Sequence, residues 1–195
     1  MTEPVVSAVG MPIAAHLKSE FNARHLRDAF GHFATGVTVV TTLDAQGAPV
    51  GLTISSFSPV SLNPPLILWS LVNTASSREA FLQHPRFAIN VLAADQHALA
   101  LQFASRSPDR FKDVAVEFSA SGLPLLTGAL AWFECKRFVE HLAGDHTIFI
   151  GEVEQVGYRG PNPADLAQMA APDAIQAAAP LIFHRGVLHQ GGLSR

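Results

Sequence analysis

Gly51-Leu-Thr-Ile-Ser-Ser-Phe-Ser-Pro-Val-Ser-Leu-Asn-Pro-Pro65 reads as a β-strand running into a turn stiffened by proline. Five hydroxyls, on Thr53, Ser55, Ser56, Ser58 and Ser61, fall in this short apolar setting. Side chains alternate faces along a strand. Thr53 and Ser55 therefore share one face, and Ser56 and Ser58 share the other with Leu52 and Ile54. A core strand would carry Val or Ile at such places. Hydroxyls on both faces suggest a polar ligand lying along the strand end; a Ser-rich edge strand is the competing reading.

The next apolar run, Leu66–Val72, has strand length. Asn73-Thr-Ala-Ser-Ser-Arg-Glu-Ala-Phe-Leu82 follows and reads as a loop entering a helix. Ser76 and Glu79 have the spacing of a capping box. A helix start exposes N–H groups and partial positive charge, which suits an anion. Ser76, Ser77 and Arg78 add hydroxyl donors and a cation. An ordinary capped helix is the alternative.

Working outward, the chain is rich in strands and poor in helices. Asn22 or Ser19 can cap a helix over Arg24–Phe33, with Leu26, Phe30 and Phe33 at helical spacing. Gly36–Leu43 is a Val/Thr-rich strand, and Asp44-Ala-Gln-Gly47 turns it into a hairpin. His84-Pro85 ends the helix begun near Ser77. Arg86–Leu92 is a strand, Asp95 caps a helix through Ala104, and Ser105–Asp113 is a polar loop. Ala129–Val139 and Thr147–Val156 are strands around Ala143-Gly-Asp-His146. Residues 161–180, rich in Ala and Pro, read as a helical excursion, and Leu181–Leu188 as a last strand. This order argues against a doubly wound parallel sheet and for a mainly β, antiparallel barrel. Residues 1–20 read as an N-terminal tail and 21–195 as one domain.

Composition narrows the function. Of 195 residues, 48% are hydrophobic and only 15% charged, so part of the apolar surface is expected to face a partner subunit. The net charge of −3, with no basic cluster, argues against nucleic acid. A single cysteine, Cys135, fits a reducing cytoplasm, and no apolar run spans a bilayer. No basic-then-apolar signal pattern opens the chain. No G-x-G-x-x-G or G-x-x-x-x-G-K-[ST] is present. The nine histidines are scattered; the pairs His141/His146 and His184/His189 lack helical zinc spacing, so no metal is expected.

Ala34-Thr-Gly-Val-Thr-Val-Val-Thr41, the Gly51–Pro65 block, Phe87-Ala-Ile-Asn-Val-Leu92, Gly122-Leu-Pro-Leu-Leu126 and Gly144-Asp-His146 follow one another in a recognisable order. In this the chain resembles the short-chain flavin reductases, the reductase components of two-component flavin monooxygenases, from about Phe30 to His189. The resemblance implies an FMN-binding split β-barrel, a homodimer, and a separate flavin-dependent monooxygenase as partner. It implies FMN as cofactor, with FAD as the alternative, and NADH or NADPH as hydride donor. No acceptor for a 2′-phosphate stands out, which favours NADH.

Hydride transfer to flavin needs binding groups more than a catalytic triad. Thr53, Ser55 and Ser56 are the candidates for the ring's polar edge. Asn73, Ser76, Ser77 and Arg78 are those for the ribityl chain and phosphate. Arg110 could reach the same phosphate or be a solvated loop cation. The resemblance assigns His146 to the open flavin face, as catalytic residue. Two other functions remain open on the sequence: a flavin-binding electron carrier, and a non-catalytic split-barrel binding module.

Overall fold

A computed structural model describes residue 17 and residues 19–160 and 179–190. Most of the expected tail and of the Ala/Pro-rich excursion lies outside these residues.

Asn22 caps the first helix, α1 (Ala23–Phe30), accepting from the N–H groups of Arg24 and His25. Strand β1 (Thr35–Gly36) precedes β2 (Thr38–Leu43), which turns back into β3 (Pro49–Ile54). In that turn the Asp44 carboxylate accepts from the N–H of Gln46 and of Ala48, and Gly47 takes φ 79°. Strand β4 (Ser58–Leu62) forms a hairpin with β5 (Pro65–Val72). Helix α2 (Arg78–Gln83) leads to β6 (Arg86–Val91). Helix α3 (His97–Ala104) follows a 3-10 turn, then come β7 (Val116–Phe118) and β8 (Pro124–Leu126). The long strands β9 (Ala131–Ala143) and β10 (His146–Tyr158) meet at Gly144-Asp145. The last two strands are β11 (Ile182–His184) and β12 (Val187–His189).

Seven strands form one antiparallel sheet in the order β3-β2-β6-β9-β10-β5-β4. Its edges, β3 and β4, are joined by only Ser55, Ser56 and Phe57. Laid flat, seven strands would hold the edges about 29 Å apart. Four residue steps reach at most about 14 Å. The sheet must therefore curl until its edges approach. Ser56 stands at this seam: its hydroxyl donates to the Ser70 carbonyl at 3.2 Å and accepts from the Ser70 N–H at 3.0 Å. No ladder joins the edges, so the expected barrel is instead a curled sheet that does not close.

The curl encloses an aromatic core. Trp69 stacks on Phe149 at 4.7 Å and meets Phe81 and Phe87 edge-on. Val40, Ile54, Ile67, Ile89 and Cys135 fill the space around them. Gly151 admits the Phe87 ring: a Cβ there would lie 2.5 Å from its Cζ. The outer face of β2 and β3 is covered by α3, with Val37, Val39, Leu92, Phe103 and Leu181 between. Gly51 makes room for Phe103 in the same way, at 2.8 Å.

Several local expectations are corrected. The helix after Ser77 is a six-residue turn-and-a-half with no side-chain cap; Glu79 instead accepts from Gln83 at 2.6 Å. Asp95 does not cap α3, because Gln96 takes the Ala93 N–H at 3.0 Å in the 3-10 turn before it. The last strand is a tight hairpin, since Arg185 and Gly186 adopt φ 51° and 81°.

Candidate functional site

Alternation along β3 decides which hydroxyls are free. Thr53 lies on the α3 side, where its Oγ1 donates to the Ala100 carbonyl at 2.7 Å. That hydroxyl's proton is committed to anchoring a helix. One residue beyond the strand, Ser55 is exposed and has no hydrogen-bond partner among the described residues. Ser56 is half-buried and engaged in the seam. Ser55 and Ser56 line a cavity of about 1050 Å³ between the sheet seam, α1 and the β11–β12 turn.

The β5–α2 loop gathers the second set. The Asn73 N–H donates to the Asp145 carbonyl at 2.8 Å and its Nδ2 to the Gly144 carbonyl at 3.3 Å. Its Oδ1 accepts from Thr147 at 2.7 Å. Asn73 is thereby a brace between this loop and the β9–β10 hairpin. Arg78 reaches the same Thr147 hydroxyl at 3.5 Å. Ser77 is 7% exposed, and its Oγ has no partner; the Arg78 Nε is likewise buried and unpaired. Most buried polar atoms in folded proteins have a partner; these two stand next to each other where the β5–α2 loop enters α2, without one among the described residues.

Ser76, Ser77 and Arg110 line a second cavity of about 730 Å³. Arg110 enters it already tethered: Nε donates to the Ser105 carbonyl and Nη1 to that of Gly51, both at 2.9 Å. Its charge faces the cavity region, while these two donors hold the loop to β3. Of the nine expected residues, Ser55 and Ser56 line the first cavity and Ser76, Ser77 and Arg110 the second, while Thr53, Asn73, Arg78 and His146 line neither.

His146 opens β10 beside the two-residue turn. Its Nδ1 meets the Asp145 Oδ1 at 2.7 Å, and this hydrogen bond holds the Asp145 carboxyl below the usual carboxylate range. The ring is partly exposed. Cys135 lies buried on β9, where burial pushes its thiol up to about 12. It is an inert packing group. Among the described residues no three His, Cys, Asp or Glu side chains gather as a metal site. Nor is any helix long and apolar enough to cross a membrane.

Sequence reading missed Arg24, Arg27, Thr35 and Arg185, all in the wall of the larger cavity. Nothing local marks them. They come from segments about 150 residues apart, brought together when β1 pairs with β11.

The chain matches the flavin reductase like domain over residues 30–192. It is 44% identical over 160 residues to the FMN reductase (NADH) SmoA of Agrobacterium fabrum, covering 82% of this chain and 91% of that protein. It is 47% identical over 131 residues to the reductase component of the flavin-dependent trigonelline monooxygenase of Acinetobacter baylyi. That match covers 67% of this chain but only 42% of the relative. Among solved structures, the flavin reductase PheA2 superposes with a TM-score of 0.72 at 37% identity, covering 90% of this chain and all of that one. The NADH:FAD oxidoreductase SgcE6 of Streptomyces globisporus, in complex with NAD and FAD fragments, does so at 0.74 and 35%, with 87% and 92% covered. The order of motifs, the curled sheet and these likenesses agree: the chain belongs to the flavin reductase like domain family and is an oxidoreductase of that kind.

Proposed function

We propose that this chain is an NADH-dependent flavin reductase that supplies reduced FMN to a separate flavin-dependent monooxygenase. The observation that carries the reading is the pair of buried, unpaired groups, Ser77 Oγ and Arg78 Nε, on the loop beside His146. A ligand with phosphate or hydroxyl oxygens would satisfy both. Relatives named for FMN, FAD and NADH support the choice of ligand. The curled sheet is read as the split barrel of these reductases.

A flavin held here would supply the hydride-accepting chemistry. Every other task falls to the chain. The free hydroxyl of Ser55 and the backbone at the seam would meet the ring's polar edge. Ser76, Ser77, Arg78 and Arg110 would hold the phosphate end. Asn73 and Thr147 fix the loop that carries Arg78. His146, oriented by Asp145, would align the nicotinamide over the open face and stabilise negative charge on the reduced ring. It moves no proton in the hydride step.

The reading includes a homodimer. Helix α1 buries no residue of its own, and Leu17, Phe21 and Phe30 around it are all more than half exposed. An amphipathic helix left uncovered calls for a second surface, and a second copy supplies one. Sedimentation as a monomer at micromolar concentration would remove this part of the reading.

The test of function is anaerobic bleaching of FMN by NADH in a stopped-flow instrument. Wild-type protein should bleach FMN. His146→Ala should slow bleaching or raise the NADH requirement, with FMN affinity held within a few-fold. An unchanged rate at every NADH concentration would exclude His146 from the site. FMN that neither binds nor bleaches would overturn the whole reading.

A further inference from the structure

We infer that Thr147 is a positioning residue that couples the flavin's phosphate to the nicotinamide: phosphate seated on Arg78 tightens the turn that carries His146, and so raises affinity for the nicotinamide dinucleotide. The inference rests on the flavin reductase reading and gives that site an internal link which the reading does not require.

The link starts from strand alternation. Thr147 and His146 are consecutive on β10, so their side chains leave opposite faces of the sheet. His146 stands partly exposed at the rim. Thr147 is 1% exposed and lies across the ladder from Leu71 and Leu142. A buried strand position between two leucines suits Val at least as well as Thr. The hydroxyl therefore needs partners, and it has two. It donates to Asn73 Oδ1 at 2.7 Å and accepts from Arg78 Nη2 at 3.5 Å. Asn73 passes the contact on. Its Nδ2 donates to the Gly144 carbonyl at 3.3 Å, and its N–H to that of Asp145 at 2.8 Å. Gly144 takes φ 63° in this turn, and Asp145 Oδ1 meets His146 Nδ1 at 2.7 Å. An unbroken run of hydrogen bonds thus leads from the Arg78 guanidinium to the His146 ring.

The run is slack at its phosphate end. The Arg78–Thr147 bond is the longest in it, and Arg78 Nε is buried and unpaired. A guanidinium has five N–H donors, so an oxyanion on Nε leaves Nη2 free to hold Thr147. Ser77 Oγ, buried and unpaired on the adjacent residue, can donate to the same anion. A phosphate there would fix the guanidinium against Thr147, and with it Asn73 and the turn. Groups ordered by the first ligand need not be ordered again by the second, so the two ligands favour each other's binding.

FMN and riboflavin differ only in the phosphate, and that difference isolates the coupling. The intact oxidised protein is saturated with each flavin in turn, and NAD⁺ binding is measured by calorimetry. NAD⁺ should bind about fivefold or more tighter beside FMN than beside riboflavin, the lower end of ordinary coupling between sites. By linkage, NAD⁺ should tighten FMN by the same factor. In Thr147→Val, which keeps the branched shape and removes the hydroxyl, the factor should fall to about one. Thr147→Ser should restore it, and Asn73→Ala should lose it. A residue that only supported the fold would weaken binding beside both flavins alike and leave the ratio standing.

Equal NAD⁺ affinity beside the two flavins in wild type would overturn the inference, as would a ratio that survives in Thr147→Val. If Thr147→Val fails to fold, the ratio must persist in Thr147→Ser and vanish in Asn73→Ala; failure of either result also overturns it. Failure of both flavins to bind wild type would instead refute the flavin reading, a separate outcome from flavins that bind without coupling.

Discussion

Ser55 and Ser56 are neighbours in different surroundings, one exposed and one bonded to the Ser70 backbone, and replacing each with alanine separates their contributions. Ser56→Ala removes one acceptor and one donor at the seam, at 3.0 and 3.2 Å from the Ser70 backbone. The Ser70 N–H then loses its partner at a half-buried position. An unsatisfied buried donor costs about 1–3 kcal/mol, and partial exposure puts this one nearer about 1–2 kcal/mol. For a domain of this size each kcal/mol lowers Tm by about 2–4 °C, so the expected fall is about 2–8 °C. In urea, with a slope of about 2 kcal/mol/M, the midpoint should move by about 0.5–1 M. Ser55→Ala removes an exposed hydroxyl with no protein partner, so stability should change by less than about 0.5 kcal/mol. FMN affinity should show the reverse pattern: Ser55→Ala weakens it, and Ser56→Ala leaves it within a few-fold. Thermal and urea unfolding, with FMN titration of each variant, read both quantities. If Ser56→Ala keeps the wild-type midpoint and loses FMN tenfold, Ser56 is a ligand, and the seam needs no latch.

Arg78→Ala should weaken FMN about tenfold or more, because it deletes a charge-assisted donor worth about 1.5–3 kcal/mol; titration calorimetry checks this. Cys135 in the native protein should resist iodoacetamide near neutral pH. A thiol raised from 9.0 to about 12 has about a thousandfold less thiolate than an ordinary one, so labelling followed by mass spectrometry should appear only on unfolding. Gly151→Ala should cost about 3 kcal/mol, since the new Cβ would press 2.5 Å from Phe87, whose ring is itself held against Trp69 at 5.6 Å. Urea unfolding measures it.

Strand and turn chemistry made much of the sheet legible from the amino-acid order. Alternation and β-branched residues mark β2 and β5, Asp44 and Gly47 mark the first hairpin, and Asn22 marks the start of α1. These are short-range effects, set by residues within a few positions of one another. The motif order carried the family as well, since the matched region begins at Phe30 as expected. Tertiary structure decided which polar groups remain free. Thr53 looked like a ligand until α3 placed the Ala100 carbonyl against it, and Asn73 until the β9–β10 hairpin claimed all its donors and acceptors named above. The seam at Ser56 exists because three linking residues force seven strands to curl. Arg185 meets α1 only through the β1–β11 pairing, across about 150 residues of chain. A hydroxyl or a guanidinium has no fixed role in sequence, because its partner is chosen by contacts between distant segments, and those form only when the sheet is built.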